Sequence, residues 1–371
     1  MRHSLCFLFS LAATSGVAQS IPGLRPDVIL APDYFTAVRA VAISKAGMVA
    51  VADPSERSIM VFSASGDHLW DVGGRGLGPG ELEQIMSIGW LADTLWVSDS
   101  RVGRVTRFRD GRVVSAVRYE GPALAEGYSA RAPYSIREDG SEIVVPSPNP
   151  SLMADGSITQ IPVITVGPTG DVSLLSTRQH PKMMLLVRSE GRQFMALQPY
   201  ANFTDFAVSP AGTFVAFGDA RVVGGRGLLT VTIVRSAHDT LWTRTTDFSP
   251  IRPPNKSIDR VVDSILVQAR AMLGKSAPTD QIREAVVIPE YLPAVTAVVA
   301  GEDGSVWIRR EDDAVSETLR WEYFDKRGTP GQSLTLPREM MLMAAMGTQI
   351  WTVTTAAEDG VPTVGRYLWQ Q

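Results

Sequence analysis

Pairs of short apolar segments joined by a turn recur along the whole chain. Each pair has an apolar segment, a turn with Gly, Asp or Thr, and a second apolar segment, as in 41–43 followed by 47–51. The six turns of this kind lie at Gly47, Asp93, Gly140, Gly212, Gly304 and Thr348. Short apolar segments bounded by turn residues are typical of antiparallel β-hairpins. The pattern therefore predicts an all-β chain built from a repeated hairpin.

The spacing of these turns sets the size of the repeat. Three of the five intervals are close to 45 residues, and in five copies a second hairpin with a Gly or Asp turn follows the first. Two hairpins in about 40–45 residues are typical of one blade of a β-propeller. The sixth copy offers only three strands, and the segment 27–30 near the N-terminus can supply the fourth. We therefore predict a six-bladed β-propeller of four-stranded blades, closed by an N-terminal strand.

The stretch 76–108 carries a recognisable motif. It reads Gly-Leu-Gly-Pro-Gly-Glu-Leu over 76–82, Leu-Trp-Val-Ser-Asp-Ser over 95–100 and Arg-Val-Thr-Arg-Phe over 104–108. The motif resembles the NHL repeat of six-bladed propellers. The resemblance is good across residues 38–121 and weaker across residues 295–337. Val102 stands where that family has Asn, and Arg104 matches the family's Arg. The resemblance implies the fold but no single function, because such propellers include lyases, lactone hydrolases, receptor parts and binding platforms.

The first 18 residues have the pattern of a secretory signal peptide, with a basic start, a short apolar run and small residues ending at Ala18. The chain's one cysteine, Cys6, lies in this segment, so the mature protein is expected to contain no disulfide. The excess of Arg over Lys, 30 to 5, favours a GC-rich bacterial source. We expect a signal peptide over 1–18, a single propeller domain over 19–371 without a transmembrane segment, and a periplasmic or extracellular location.

The charge balance narrows the range of partners. The chain has 371 residues, of which 35 are basic and 39 acidic, for a net charge of -4. It lacks the basic excess that binding to nucleic acid or an anionic membrane requires. We expect no nucleic-acid partner, and we expect the protein to be a monomer.

The residues beyond six regular blades fall on one side of the predicted ring. Links after the second and fourth strands of a blade emerge on the same face, and the substantial insertions are all links of this kind: 73–82, 146–160, 178–199, 219–227 and 249–293. Loops on a rigid scaffold commonly carry binding functions, although drift in exposed loops also produces insertions. The insertion at about 252–290 contains a helical pattern from an N-cap at Ser257 to Gly274. Its apolar stripe could contact a partner or cover its own loop.

Six residues are candidates for ligand binding. Arg75 and Glu81 flank a Gly-rich link on the loop-bearing face, although an ion pair that fixes this link is the alternative role. Asp53 and Asp99 end the second strands of two blades, where capping of the following turn is the alternative. The other candidates are Arg104, which belongs to the NHL-like motif, and His180, the one histidine of the mature chain on this face. The histidines lack ligand spacing, so we predict no catalytic residues and no metal ligands.

These observations predict an exported, non-catalytic binding module that recognises a protein, peptide or glycan on its loop-rich face and needs no cofactor. The alternative is a lactonase-like hydrolase or lyase that acts at the axis of the ring. Such an enzyme would use a divalent cation such as calcium, held by carboxylate and amide oxygens.

Overall fold

Six four-stranded antiparallel sheets follow one another along the chain in the computed structural model. The structure describes residues 21–30, 35–179, 184–201, 205–274, 277–310, 316–355 and 360–370. The predicted signal peptide, 1–18, lies outside these residues. The described sheets form a six-bladed β-propeller, which confirms the predicted fold class.

The first strand, β1 (Leu24–Ile29), belongs to the last blade. Blade 1 then consists of β2 (Ala40–Ile43), β3 (Val49–Asp53), β4 (Ser58–Phe62) and β5 (His68–Gly73). Blade 2 consists of β6 (Ile85–Leu91), β7 (Thr94–Asp99), β8 (Arg104–Arg109) and β9 (Arg112–Arg118). In both blades the strands pair in chain order, as the repeated hairpins predict.

Blade 3 is interrupted by short extra elements. A two-stranded sheet joins β10 (Tyr128–Ser129) to β13 (Ser147–Pro148), and the helix α1 (Pro150–Ala154) follows. The blade itself consists of β11 (Ser135–Ile136), β12 (Glu142–Val144), β14 (Gln160–Val166) and β15 (Val172–Gln179). A separate hairpin of β16 (Met184–Ser189) and β17 (Arg192–Leu197) then leads to blade 4. This hairpin was not predicted from the sequence.

Blade 4 consists of β18 (Phe206–Val208), β19 (Val215–Val223), β20 (Arg226–Ser236) and β21 (Asp239–Phe248). The helices α2 (Asn255–Leu273) and α3 (Thr279–Ala285) connect it to blade 5. Blade 5 consists of β22 (Val295–Ala300), β23 (Val306–Arg310), β24 (Thr318–Phe324) and β25 (Leu334–Pro337). Both helices lie inside the segment 252–290, where a helical insertion was predicted.

Blade 6 is built from both ends of the chain. It consists of β26 (Met340–Met346), β27 (Gln349–Thr355), β28 (Pro362–Trp369) and the first strand, β1. Leu24 faces Trp369 and Ile29 faces Gly365 across the antiparallel pair. The closing strand begins three residues before the predicted segment 27–30, because Leu24 is also buried in the cluster that contains Trp307 and Trp369.

Several of the inner turns of the blades depend on glycine. Gly47 and Gly304 have φ values of 85° and 88°, a region that side chains with a Cβ rarely adopt. In blade 1, the Gly47 amide donates to the carbonyl of Ser44, and the Ser44 amide donates to Met48. These bonds close the tight turn between β2 and β3.

The core lies between the faces of neighbouring blades. All the residues of β3 and β7 are buried, and one apolar cluster joins Val61 and Val72 of blade 1 to Leu95 and Phe108 of blade 2. The largest buried side chains include Trp96, Trp307 and Trp351, which are at most 1% exposed and occupy matching strands of three blades. Continuous burial between blades makes the ring one packed body.

Helix α2 begins earlier than the sequence pattern predicts. The helix starts at Asn255, with Pro254 in the N-cap position and no side-chain cap, so the predicted N-cap at Ser257 is wrong. Proline suits the start of a helix because the first amides have no partner within the helix. Gly274 ends α2 with a φ of 71°, as predicted. None of the described helices is both long and apolar enough to span a membrane.

Candidate functional site

Three insertions on one face of the ring pack together into a single layer. Helix α1 comes from blade 3, the hairpin β16–β17 from the link between blades 3 and 4, and α2 with α3 from the link between blades 4 and 5. Leu185 and Phe194 of the hairpin share a buried cluster with Leu266 of α2 and Ile282 of α3, and α1 contacts β16. We call α1, β16–β17, α2 and α3 the accessory layer. The apolar stripe of α2 therefore covers its own neighbours within this layer.

A buried glutamine links the hairpin to the helices. The side-chain amide of Gln198 donates to the carbonyl of Ala285 (3.0 Å), and its oxygen accepts from the amide of Val287 (3.0 Å). Gln198 is 8% exposed. Because a buried amide needs partners for both its donor and its acceptor, this pair of bonds fixes the end of α3 against the end of the hairpin.

A cavity of about 600 Å³ lies beside the accessory layer. We call it the side cavity. Its walls come from the end of β15, the start of blade 4, the extended strand β19 and the link 289–295 that follows the helices. Aromatic and charged side chains share these walls: Tyr200, Phe248, Tyr291, Arg178, Asp205, Asp219, Arg221 and Glu290. Its volume is within the range typical of small-ligand sites.

Arg178 organises one wall of the side cavity. Its Nε donates to Oδ2 of Asp205 (3.0 Å), and its Nη1 donates to Oδ2 of Asp219 (3.1 Å). A second contact joins its Nη2 to Oδ1 of Asp219 (2.9 Å), and the guanidinium lies 5.3 Å from the ring centre of Phe217. Burial alone would lower the pKa of Arg178, but the two carboxylates outweigh it and raise the pKa. The guanidinium is therefore a fixed positive charge.

Two polar atoms on the same wall are buried without a hydrogen-bond partner among the described residues. They are Oδ1 of Asp205 and the hydroxyl oxygen of Tyr200. Burial also raises the pKa of Tyr200, so its hydroxyl remains a neutral donor. Buried polar atoms in native proteins are usually satisfied. Counting described residues alone, the wall thus carries one unused acceptor and one unused donor.

A second cavity, of about 730 Å³, follows the axis of the ring. We call it the axial cavity. It is lined by the innermost strands of all six blades, mostly by apolar side chains such as Ile43, Ile88 and Val298. Arg39 is the one charged side chain in its described lining, and Tyr134 adds a phenol. Burial raises the pKa of Tyr134, and the nearby charge of Arg39 opposes this rise.

The axial cavity is closed at the face of the tight turns. There Nζ of Lys45, in the inner turn of blade 1, lies 2.5 Å from Oε1 of Glu138, in the inner turn of blade 3. Glu302, in the inner turn of blade 5, accepts from the amide of Ala211 in blade 4 (3.2 Å). A cavity of only about 20 Å³ remains among these residues. The axial cavity therefore opens towards the loop-bearing face.

The donor set of the axial cavity does not fit the calcium ion that a lactonase-like enzyme would need. Its described lining offers hydroxyls from Ser87, Ser135, Ser147, Ser209 and Tyr134, but no carboxylate or amide side chain. Calcium sites in proteins rely on carboxylate and carbonyl oxygens. In the described parts of the chain, no group of three or more His, Cys, Asp or Glu side chains could hold a metal.

Asp53 and Asp99 contact backbone rather than an open cavity. Both are fully buried. The carboxylate of Asp53 accepts from the amides of Thr36 and Ala37 before its blade and from Ser55 and Glu56 after β3. That of Asp99 accepts from the corresponding amides of residues 83, 84, 101 and 102. This geometry matches the turn-capping role that the sequence left open.

Arg104 and Glu81 hold the Gly-rich link between blades 1 and 2. The Arg104 guanidinium donates to the carbonyls of Leu77 (3.0 Å) and Glu81 (2.5 Å). The Glu81 carboxylate accepts from the amide of Gly78 (2.6 Å). The side chain of Arg75 is exposed. The structure thus gives Arg104 the fixing role that the sequence suggested for a pair of Arg75 with Glu81.

The sixth candidate, His180, lies outside the described residues. The sequence pattern did not indicate the main polar groups of the two cavities as site residues. These groups are Arg178, Asp205, Asp219, Arg39 and Tyr134. One signal was available, because Asp219 follows β-strand residues 215–218 at the position that Asp53 and Asp99 take in blades 1 and 2. Its partner Arg178 belongs to another blade, so their pairing required the folded chain.

Comparisons with known proteins do not assign the chain to a family. No protein-family model matches the chain, and no curated protein matches it. Similar solved structures include a streptogramin B lyase, with 9% identity over 94% of this chain and 97% of that one and a TM-score of 0.41. Another is regucalcin, a calcium-binding protein from Agrobacterium tumefaciens, with 12% identity over 94% of this chain and 96% of that one and a TM-score of 0.43. A third is a PQQ-bound aldose sugar dehydrogenase from Streptomyces coelicolor, with 12% identity over 95% of this chain and 100% of that one and a TM-score of 0.40. At these identities and scores, none of them informs the ligand or chemistry of this chain.

Proposed function

We propose that this protein is an exported binding module that recognises a protein, peptide or glycan on its loop-bearing face, without catalysis. The proposal includes the cleaved signal peptide over 1–18, a periplasmic or extracellular location, and kinship with NHL-repeat propellers through the motif at 76–108. The observation that carries it is the accessory layer. Insertions from separate links share one buried core beside a cavity of about 600 Å³.

The accessory layer supports binding because it is more than a set of enlarged loops. Ordering loop residues costs conformational entropy, and here a cluster of buried apolar residues and the bonds of Gln198 offset that cost. A rigid layer presents the same surface to each partner, so little further ordering is needed on binding. The side cavity at its edge offers aromatic rings, guanidinium groups and carboxylates, which suit the hydroxyls and amides of a glycan or peptide chain.

The side cavity also indicates which residues should contact the partner. Arg221 is exposed on the extended strand β19, and Tyr291 is partly exposed on the link after the helices. Tyr and Arg are frequent among the residues that dominate binding free energy. Neither belongs to the main cores of the blades, so both can be changed while the ring stays folded.

The test is a binding screen with matched variants. The mature protein is screened on glycan, peptide and protein arrays, and each species retained is titrated against Arg221→Ala, Tyr291→Ala and the double variant. The control is Arg112→Ala, which removes an exposed arginine from the outer strand of blade 2. We expect the double variant to lose affinity by about tenfold or more, and the control to keep it. Equal binding by all variants, or no species retained on any array, contradicts the proposal.

The alternative function, a calcium-dependent hydrolase or lyase at the axis, is not adopted. The reason is the chemistry of the axial cavity, whose described lining supplies no carboxylate side chain.

A further inference from the structure

The axial cavity contains a cation whose guanidinium has no counter-ion among the residues that the structure describes. Arg39 directly precedes β2, and its backbone amide donates to the carbonyl of Ala52 (3.0 Å). Within the described ranges, no hydrogen bond or ion pair of its side chain is found, although it is the one charged side chain in the described lining of the cavity. Its side chain is exposed, so a ligand in the cavity can reach it.

The surroundings of Arg39 favour an anion with an apolar body. The walls below it are largely apolar, and the ring of Tyr134 lies 5.2 Å from that of Phe206. A guanidinium forms charge-assisted hydrogen bonds to a carboxylate, and these are stronger than hydrogen bonds between neutral groups. The phenol of Tyr134, in the same lining, can donate a second hydrogen bond. A cationic ligand would instead meet the charge of Arg39 without a compensating carboxylate in the described lining.

The shape of the axial cavity sets the orientation of such a ligand. Arg39 and Tyr134 directly precede the innermost strands of blades 1 and 3, at the loop-bearing end. The opposite end is closed by Lys45, Glu138 and Glu302. A molecule with one charged group therefore enters with its apolar part towards the tight turns and its anionic group at the mouth.

We propose that the axial cavity binds a small organic anion, a carboxylate with an alkyl or aryl body, and that Arg39 is the residue that selects the charge. This site is separate from the partner surface at the accessory layer, so each proposal can fail without the other.

The experiment measures binding by isothermal titration calorimetry with matched probes. Decanoate and phenylacetate are each compared with their neutral primary amides and with decylamine. We expect the carboxylates to bind about tenfold more tightly than the amides, because charge-assisted hydrogen bonds are about twice as strong as neutral ones. We expect the amine to bind more weakly than either.

Variants assign the selectivity to Arg39. In Arg39→Gln the preference for carboxylate over amide should disappear, whereas Arg39→Lys should keep part of it. Tyr134→Phe should weaken carboxylate binding a few-fold. Arg112→Gln, which removes an equal charge far from the axis on β9, should bind like the wild type. The proposal is overturned if neither carboxylate binds, if amide and carboxylate bind equally to the wild type, or if Arg39→Gln keeps the preference. Circular dichroism and the unfolding midpoint establish that each variant is folded.

Discussion

Asp99 in blade 2 repeats the role of Asp53 in blade 1. Each of these residues ends the second strand of its blade, and its carboxylate accepts hydrogen bonds from four backbone amides. Two of the amides come from the link before the blade and two from the turn after the strand. We expect Asp99→Ala to lower the free energy of unfolding by about 3 kcal/mol or more, because four backbone amides lose the buried carboxylate that accepts from them. Asp99→Asn should cost less, since its amide oxygen still accepts.

Chemical denaturation of these variants measures the loss. Asp93→Ala serves as a control, because Asp93 is an exposed turn residue of the same blade. An Asp99→Ala variant as stable as the control would show that the four bonds contribute little.

Arg178 is expected to be the most sensitive position of the side cavity. Arg178→Leu leaves Asp205 and Asp219 without their shared cation, and Asp205 is largely buried. Breaking a buried ion pair from one side costs about 3–5 kcal/mol. Adding Asp205→Asn to Arg178→Leu should recover part of this loss, since the uncompensated buried charge is gone. A double variant that is less stable than the single one would contradict this explanation.

Glu302 should make stability depend on pH at the closed end of the axial cavity. Desolvation by burial raises the pKa of Glu302 above its ordinary 4.5. The folded state therefore favours the protonated carboxyl group. The stability that this preference adds is present below pH 4.5 and is lost as the pH rises through the raised pKa. Glu302→Gln stays neutral at every pH and should have a higher unfolding midpoint than the wild type at neutral pH.

The measurement is a thermal scan of both proteins from pH 4 to pH 8. The gain of Glu302→Gln should shrink towards the acidic end, whereas Glu126→Gln, an exposed control, should follow the wild type throughout. A gain that is constant over this range would disprove the role of the proton.

Removal of the strand β1 tests how the ring is closed. Without residues 21–30, the backbone of β28 becomes an unpaired sheet edge, and the bond from Arg366 to Asp27 (2.6 Å) is lost. Exposed edges of sheets promote association between chains. We expect the truncated protein to form dimers and larger species in size-exclusion chromatography with light scattering. Arg366→Gln, which keeps β1, should remain a single species, and a monomeric truncated protein would contradict the prediction.

The sequence predicts the ring well because the blades obey one local rule. Each inner hairpin needs a tight turn, and glycines such as Gly47 and Gly304, whose φ is positive, mark several of these turns. The closing strand was predictable for a similar reason, since a three-stranded last blade leaves an edge that another strand must cover. These features depend on residues that are close together in the chain or on a simple count of strands.

The sites could be predicted only in part. The hairpin β16–β17 was missed because Leu185 and Phe194 pack against residues of α2 and α3, which lie far away in the chain. Likewise, Arg39 and Tyr134 precede strands of different blades, and only the folded ring brings them into the lining of one cavity. Asp53 and Asp99 show the converse. Their position looked like that of a ligand site, but the surrounding amides use both carboxylate oxygens.

The pairing of β1 with β28 also fixes when the protein can finish folding. Asp27 and Arg366, which bond across this pair, are 339 residues apart in the chain. Synthesis at about 5–20 residues per second separates their appearance by roughly 20–70 s. For that time the first strand made has no partner. If the chain is exported, the ring can close only after its C-terminus has reached the same compartment as its N-terminus.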